Sequence, residues 1–360
     1  MKVTISVLLL ILSSSIFVNT IEPDHSKVIN GILNQFMDSS PKELFKVWHL
    51  VFDRQYTFDS EQAKLKFKNF KENLKIIKET NAKNLGYSLG LNQFSDITNA
   101  EFKNMMCRRI PSGQIGKNID QFNKDSNFLT EDDDDDLTKR NLEILSPIDH
   151  SKWFGVPRNQ GQCGSCWAFA AAGAIEGNNS LKLRKVVPYV STQQLVDCDK
   201  GNSGCDSGKS FKAYDYTKKN GIMNDSDYTY KAKRGTCAYS ALKPLTHVSG
   251  YQYCSNYTDL KCTVDKVSAL LQKGPLSVGI DGGTNEFQSY KSGIFSAKCS
   301  NDNHTVILVG YGVEASKQYW LVRNSWGTTW GMNGYIKVAV NPSNSNSCYV
   351  DNEGVLPLIN

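Results

Sequence analysis

Long apolar runs are scarce in this 360-residue chain. After the first residues none is long or apolar enough to cross a bilayer, which takes about 20 consecutive apolar residues. Charge of one sign is scarce too. The net charge is only +5, and the basic residues are scattered without the stripe that marks a nucleic-acid binder, so nucleic acid is excluded as an expected partner. No motif calls for a metal or another cofactor. The one dense charge cluster, Glu131-Asp132-Asp133-Asp134-Asp135-Asp136, lacks the ligand spacing of an EF-hand loop and reads as a self-repelling, exposed tether.

What is present starts with a leader. Met1-Lys2, the apolar run Val7-Leu8-Leu9-Leu10-Ile11-Leu12 and the cluster Ser13-Ser14-Ser15 have the charged start, short core and small-residue exit of a secretory signal. Residues 1–18 are assigned to it, with cleavage between Ser15 and Thr20. The run is shorter than a membrane anchor requires, so no stable membrane association is expected. Ten cysteines fit the oxidising compartment such a signal leads to.

The chemistry gathers around one of those cysteines. Cys166 ends the loop Asn159-Gln160-Gly161-Gln162-Cys163-Gly164-Ser165 and opens an Ala-rich, helix-like stretch. A thiol at a helix N-terminus loses its proton readily, because unpaired backbone N–H groups and the positive end of the helix dipole stabilise the thiolate. A base and an orienting group follow downstream. His304 begins the apolar, β-branched run Thr305-Val306-Ile307-Leu308-Val309, which predicts a buried strand, and Asn324 follows the strand-like Tyr319-Trp320-Leu321-Val322. A spacing of about 130–150 residues from cysteine to histidine and asparagine is a known protease signature; His304 falls inside it and Asn324 a little beyond. Cys163 and Cys166 also form a C-x-x-C pair, but a redox site would need both thiols together in a βαβ setting.

These motifs, in this order, resemble the papain family of cysteine proteases, of the cathepsin L type, over roughly residues 40–105 and 147–358. The resemblance implies an α+β, two-lobed fold, with a helical lobe carrying Cys166 and a strand-rich, barrel-like lobe carrying His304 and Asn324. It implies a nucleophile at Cys166, a base at His304, an orienter at Asn324, an oxyanion donor at Gln160 and a shielding tryptophan at Trp326. It also implies that Cys163 pairs with Cys205, Cys198 with Cys237 and Cys299 with Cys348. That leaves Cys166 free, Cys254 and Cys262 as an extra local bridge, and Cys107 unpaired.

Residues 41–105 carry two amphipathic helical patterns, one through Leu44, Val47, Trp48, Val51 and Phe52, the other through Phe67, Phe70, Leu74 and Ile77. They resemble the inhibitory pro-region of cathepsin L-like enzymes, matching at Phe70, Asn73, Ile77 and Asn81 and again at Gly90, Asn92, Phe94 and Asp96. Gln62 and Lys66 stand where that family has an acidic residue and an arginine. The expected organisation is a pro-domain over residues 19–110, an acidic linker over 111–143 and a catalytic domain over 144–360, with maturation between Lys139 and Pro147. Acid is expected to release the pro-domain by protonating carboxylates that pair with the catalytic domain.

By the same resemblance, substrate is bound by Gly208, Lys209, Ser210, Gly279, Asp302, Trp326 and Glu353. Asp302 and Glu353 make an acidic specificity pocket able to pair with arginine, against the opposing charge of Lys209. The usual glycine is replaced by Ser207. With no occluding insertion, an endopeptidase is expected over an exopeptidase. Sequons at Asn178, Asn224 and Asn256 are candidate glycan sites; a fourth, at Asn303, sits beside His304 and is expected to be empty. The expected partners are protein or peptide substrates, the chain's own pro-domain and cystatin-like inhibitors, with a monomeric enzyme in a lysosome or vacuole or outside the cell. A non-catalytic binding protein on the same scaffold would not need the intact set of Cys166, His304, Asn324 and Gln160.

Overall fold

The computed structural model describes residues 23–105, 127–128, 147–240, 244–254, 262–340 and 348–359. The leader, Cys107, the acidic run and the sequon at Asn256 lie outside these residues. Four helices form the N-terminal unit: α1 (Pro23–Phe36), α2 (Pro41–Val51), α3 (Glu61–Asn81) and α4 (Asn99–Met105). Helix α2 starts where the sequence dictates. The Ser40 hydroxyl accepts the Glu43 N–H while the Glu43 carboxylate accepts the Ser40 N–H, a capping box followed at once by Pro41. Leu44, Val47, Trp48 and Val51 are buried along one stripe, and Phe70, Leu74 and Ile77 of α3 meet them. Phe52 is the C-cap of the helix and still packs its ring against Trp48, 5.5 Å between centres.

The asparagines of α3 fasten the extended segment that follows. Asn73 Nδ2 donates to Ser95 O at 2.9 Å and Ile97 O at 2.8 Å, and Asn81 exchanges two hydrogen bonds with the Leu89 backbone. Lys66, where an arginine was looked for, still forms an ion pair with Glu101 at 3.2 Å. Arg54 pairs with Asp96 at 2.8 Å.

The remaining residues build two packed regions. In the helical one, α5 (Cys166–Leu183) runs through the centre, with α6 (Thr192–Cys198) and α7 (Ser210–Asn220) beside it. Helix α5 is apolar nearly all round, which is what a helix enclosed on all sides requires. Gly173 and Gly177 let it approach its neighbours: a Cβ would lie 2.3 Å from Ile307 Cδ1 and 2.3 Å from Phe154 Cζ respectively.

The strand-rich region is one sheet in the order β1 (Tyr87–Leu89), β8 (Tyr290–Phe295), β11 (Tyr335–Ala339), β10 (Lys317–Arg323), β9 (His304–Glu314), β7 (Leu276–Ile280), β12 (Gly354–Ile359), β6 (Val248–Tyr253), β2 (Asn127–Phe128). Strand β3 (Ile148–Asp149) attaches to β9, and β4 (Ile222–Met223) pairs with β5 (Pro244–Thr246) apart from the sheet. The pairing is an open path, and both of its outer strands, β1 and β2, precede the catalytic motifs in sequence. Two more helices, α8 (Val264–Lys273) and α9 (Asn285–Gln288), cover the sheet. Disulfides join Cys163 to Cys205, Cys198 to Cys237, Cys254 to Cys262 and Cys299 to Cys348.

Candidate active site

Three elements bring the sequence-read residues together. Cys166 is the first residue of α5, and its N-cap, Ser165, makes no side-chain capping bond, so the helix start is not closed off by a hydroxyl. Strand β9 begins at His304, and its second residue, Thr305, donates its N–H to Cys166 Sγ at 3.3 Å. The backbone that follows His304 therefore lies directly against the sulfur. His304 Nε2 bonds Asn324 Oδ1 at 2.8 Å, and the same oxygen accepts the Ser325 N–H at 2.8 Å, which fixes the amide so that its carbonyl faces the ring. Trp326 stacks on the imidazole, with ring centres 4.8 Å apart. His304 and Trp326 are wholly buried.

Gln160 is held from both ends of its amide. Its Oε1 accepts from Ser325 Oγ at 2.7 Å, and its Nε2 donates to Cys163 O at 3.0 Å. An amide nitrogen carries two protons, so one remains to point at a reacting oxygen beside Cys166. The expectation that Cys166 is a free thiol does not hold in this state. Its sulfur is disulfide-bonded, and no described cysteine is a free thiol. A reactive sulfur in a chain rich in oxidisable cysteines is a ready partner for disulfide formation. Eight of the chain's ten cysteines close the four bridges above.

The proposed specificity residues are all buried and reach the site from two sides. Lys209 precedes α7 and Ser210 begins it. A Cβ on Gly208 would lie 2.5 Å from the Trp167 ring, so this backbone packs directly beside the residue after Cys166. From the sheet, Gly279 pairs with Thr305 and Ile280 with His304. Gly354, next to Glu353, pairs with Val278. Asp302 and Glu353 thus precede the starts of β9 and β12, the two strands that flank β7, and each is only 6% exposed.

Sequence reasoning passed over the polar seam behind the site. Arg158 Nη2 meets Glu176 of α5 at 2.8 Å and its Nη1 meets Asp225 at 3.1 Å. Burial pushes the Glu176 carboxyl up in pKa, against the pull of Arg158 and Arg323. A cavity of about 20 Å³ lies here, lined by Arg158, Glu176, Thr305, Arg323, Asn324 and Ser325 among others, room for one water molecule. No local motif could have signalled it, since its members come from four distant segments. Asn178 is read differently in three dimensions: it lies within α5, and its Nδ2 donates to Ala174 O and Pro275 O, so the nitrogen a glycan would need is engaged. No group of metal-ligating side chains occurs among the described residues.

The N-terminal unit covers this site. Phe94 and Phe102 set their rings 5.5 Å and 5.1 Å from Trp326. Gln93 Nε2 donates to Trp326 O and its Oε1 accepts from Thr329, while Asn92 Nδ2 donates to Gln288 O. No ion pair among the described residues joins this unit to the rest. The described contacts that hold the two parts together here are aromatic rings and hydrogen bonds to both side chains and backbone.

Comparison with known proteins fits this arrangement. Residues 149–358 match the papain family cysteine protease, and residues 45–102 match the cathepsin propeptide inhibitor domain. Caricain of Carica papaya is 37% identical over 307 residues, which are 84% of this chain and 82% of caricain. The probable cysteine protease RD21B of Arabidopsis thaliana is 34% identical over 84% of this chain, which spans 63% of that protein's length. Among solved structures, the recombinant stem bromelain precursor superposes with a TM-score of 0.76 at 31% identity, covering 89% of this chain and 99% of the precursor.

Proposed function

The chain belongs to the papain family of cysteine proteases and carries a cathepsin propeptide inhibitor domain, and from that premise we propose that it is the latent precursor of a cysteine endopeptidase whose reaction is carried by Cys166, His304, Asn324 and Gln160. The observation that carries this reading is the meeting of the Cys166 sulfur, the start of β9 and the Asn324 amide at one point between α5 and the sheet. Once reduced, Cys166 gives its proton to His304, and the thiolate attacks the peptide carbonyl carbon. The carbonyl oxygen takes up negative charge and is met by the Cys166 N–H and the remaining Gln160 amide proton, each worth about 2.7–4 kcal/mol in the transition state. His304 then protonates the departing amine, leaving a thioester. A water deprotonated by His304 cleaves the thioester, and the thiol is restored. Asn324 holds the ring nitrogen opposite the sulfur, and Trp326 keeps water from that hydrogen bond.

Substrate and the chain's own pro-domain compete for the same ground. Asp302 and Glu353 give the pocket for the residue two before the scissile bond an acidic floor suited to arginine, with Lys209 tempering it. The reading includes residues 1–18 as a secretory signal, 19–110 as pro-domain, 111–143 as linker and 144–360 as catalytic domain. It includes a monomeric enzyme in a vacuole or lysosome or outside the cell, glycan at Asn224 and Asn256, and inhibition by cystatin-like proteins. The test is to reduce and acidify the precursor and to follow hydrolysis of Phe-Arg and Arg-Arg dipeptidyl fluorogenic substrates, with Cys166→Ala as control. Turnover lost in the control is the expected outcome, and a Glu353→Ala enzyme should lose the Arg-Arg substrate selectively. Turnover that survives Cys166→Ala would overturn the assignment of the nucleophile, and an unchanged substrate ratio in Glu353→Ala that of the pocket.

A further inference from the structure

Strand β7 ends at Ile280, and the residue after it, Asp281, is a carboxylate only 2% exposed with no ion-pair partner among the described residues. It is satisfied by four N–H donors instead. Its Oδ2 accepts from the backbones of Ser300 at 2.8 Å and Asn301 at 3.1 Å. Its Oδ1 accepts from the Gly283 backbone at 3.0 Å and from Asn303 Nδ2 at 2.9 Å. Asn303 returns the contact, its Oδ1 accepting the Gly282 N–H at 2.9 Å.

Every one of these donors belongs to the turn 282–283 or the loop 300–303, and both abut His304. A Cβ placed on Gly282 would lie 2.9 Å from His304 Cβ, 3.1 Å from Cγ and 3.2 Å from Cδ2, so the Gly282 backbone is a wall against which the histidine rests. Asn303 is the residue immediately before it. The backbone of Asp281 is pinned in turn, its N–H donating to Cys348 O at 3.1 Å, beside the Cys299–Cys348 bridge that opens the loop. A buried charge that spends all its hydrogen bonds on the two segments flanking one side chain is a device for fixing that side chain.

We propose that Asp281, through Asn303 and the Gly282–Gly283 turn, is a positioning residue for His304; this rests on His304 being the catalytic base. Replacing the carboxylate by an amide of the same shape turns one oxygen into a donor, and in either orientation that donor faces two N–H groups. The turn and the loop must then part, and the imidazole loses its wall on one side.

The experiment compares Asp281→Asn, Asn303→Ala and the double variant in the reduced, matured enzyme. Rates are expressed per active site titrated with a covalent thiol inhibitor, and the alkylation of Cys166 by iodoacetamide is followed against pH. The Asp281→Asn enzyme should lose about tenfold to a hundredfold in kcat with KM within twofold, since transition-state geometry and not substrate binding is affected. Its fast alkylation at acidic pH, the signature of a thiolate paired with imidazolium, should weaken in parallel. Asn303→Ala should show a smaller loss in the same sense, and the double variant should cost less than the product of the singles because they act through one contact. Unchanged kcat and alkylation in a folded Asp281→Asn enzyme, with only a lowered melting temperature, would overturn the proposal. If that variant does not fold, Asn303→Ala decides alone, and unchanged kcat per titrated site would sink the idea. Both failures leave thiol-dependent turnover by the parent enzyme intact, whereas failure of the protease reading abolishes it.

Discussion

Phe102 offers a direct measure of what keeps the precursor shut. Its side chain is wholly buried and stands between Phe94 of its own unit and Trp326 of the catalytic domain, with ring centres 5.1 Å from each. Truncating a buried phenylalanine to alanine costs about 3–5 kcal/mol in lost transfer energy and unfilled space. Only part of that opposes lifting the pro-domain, because the contact with Phe94 survives undocking. Taking roughly half, from its two equidistant aromatic neighbours, leaves about 1.5–2.5 kcal/mol, or a tenfold to seventyfold larger open population. The assay uses the Cys166→Ala precursor, which cannot process itself, with and without Phe102→Ala. Trace mature enzyme is added and cleavage of the pro-region is timed. Under these conditions the rate follows the open population. Equal rates within twofold, with both proteins folded by thermal melting, would refute the aromatic wedge as the main latch.

Because the Cys166 sulfur is disulfide-bonded, iodoacetamide should leave it unlabelled in the native precursor and label it after mild reduction; labelling without reductant would contradict the oxidised state. Gln160→Ala should lose about a hundredfold to a thousandfold in kcat with little change in KM, and a fall of less than about fivefold in a folded variant would remove Gln160 from the oxyanion site. Glu101 sits below the usual carboxylate pKa: burial raises it, but the Thr98 backbone and hydroxyl bonds and Lys66 together outweigh that. A depressed folded value stabilises above the unfolded pKa of about 4.3 and is lost as pH falls through the folded value. Glu101→Gln removes that contribution at neutral pH already, so acid activation of the variant should begin at higher pH, and an unmoved midpoint would refute it.

The residues legible in the sequence are those whose chemistry is announced by their neighbours. Cys166 is marked by the loop before it and the Ala-rich helix after it, and His304 by the β-branched strand it starts. The capping box at Ser40 and Glu43 and the stripe through Leu44, Val47, Trp48 and Val51 are local patterns with one physical solution. Where sequence reasoning stopped, the partner lay far along the chain. Nothing around Asp281 says that four donors from 283–303 converge on it, and nothing around Arg158 points to Glu176 and Asp225. Lys66 stands where the family has an arginine, and its ammonium on a long flexible stem still reaches Glu101 as a point charge. The oxidised state of Cys166 was missed because pairing is a property of distance, which spacing does not encode.

Strand β1 of the pro-domain lies antiparallel along β8, pairing Tyr87 with Gly293 and Ser88 with Ser292. Maturation strips this neighbour away and leaves the outer rim of β8 with bare N–H and C=O groups, the kind of rim on which another chain can template itself. The mature protein meets that hazard with what the rim already carries. Lys291, which donates to Asn34 while the pro-domain is docked, is a charge carried on that rim. Gly293, at φ +85°, interrupts the extended backbone of that rim. In the proposed reading, the cut that frees the protease also exposes an edge open to self-association, and the lysine that donates to Asn34 in the precursor is left as a charge beside it.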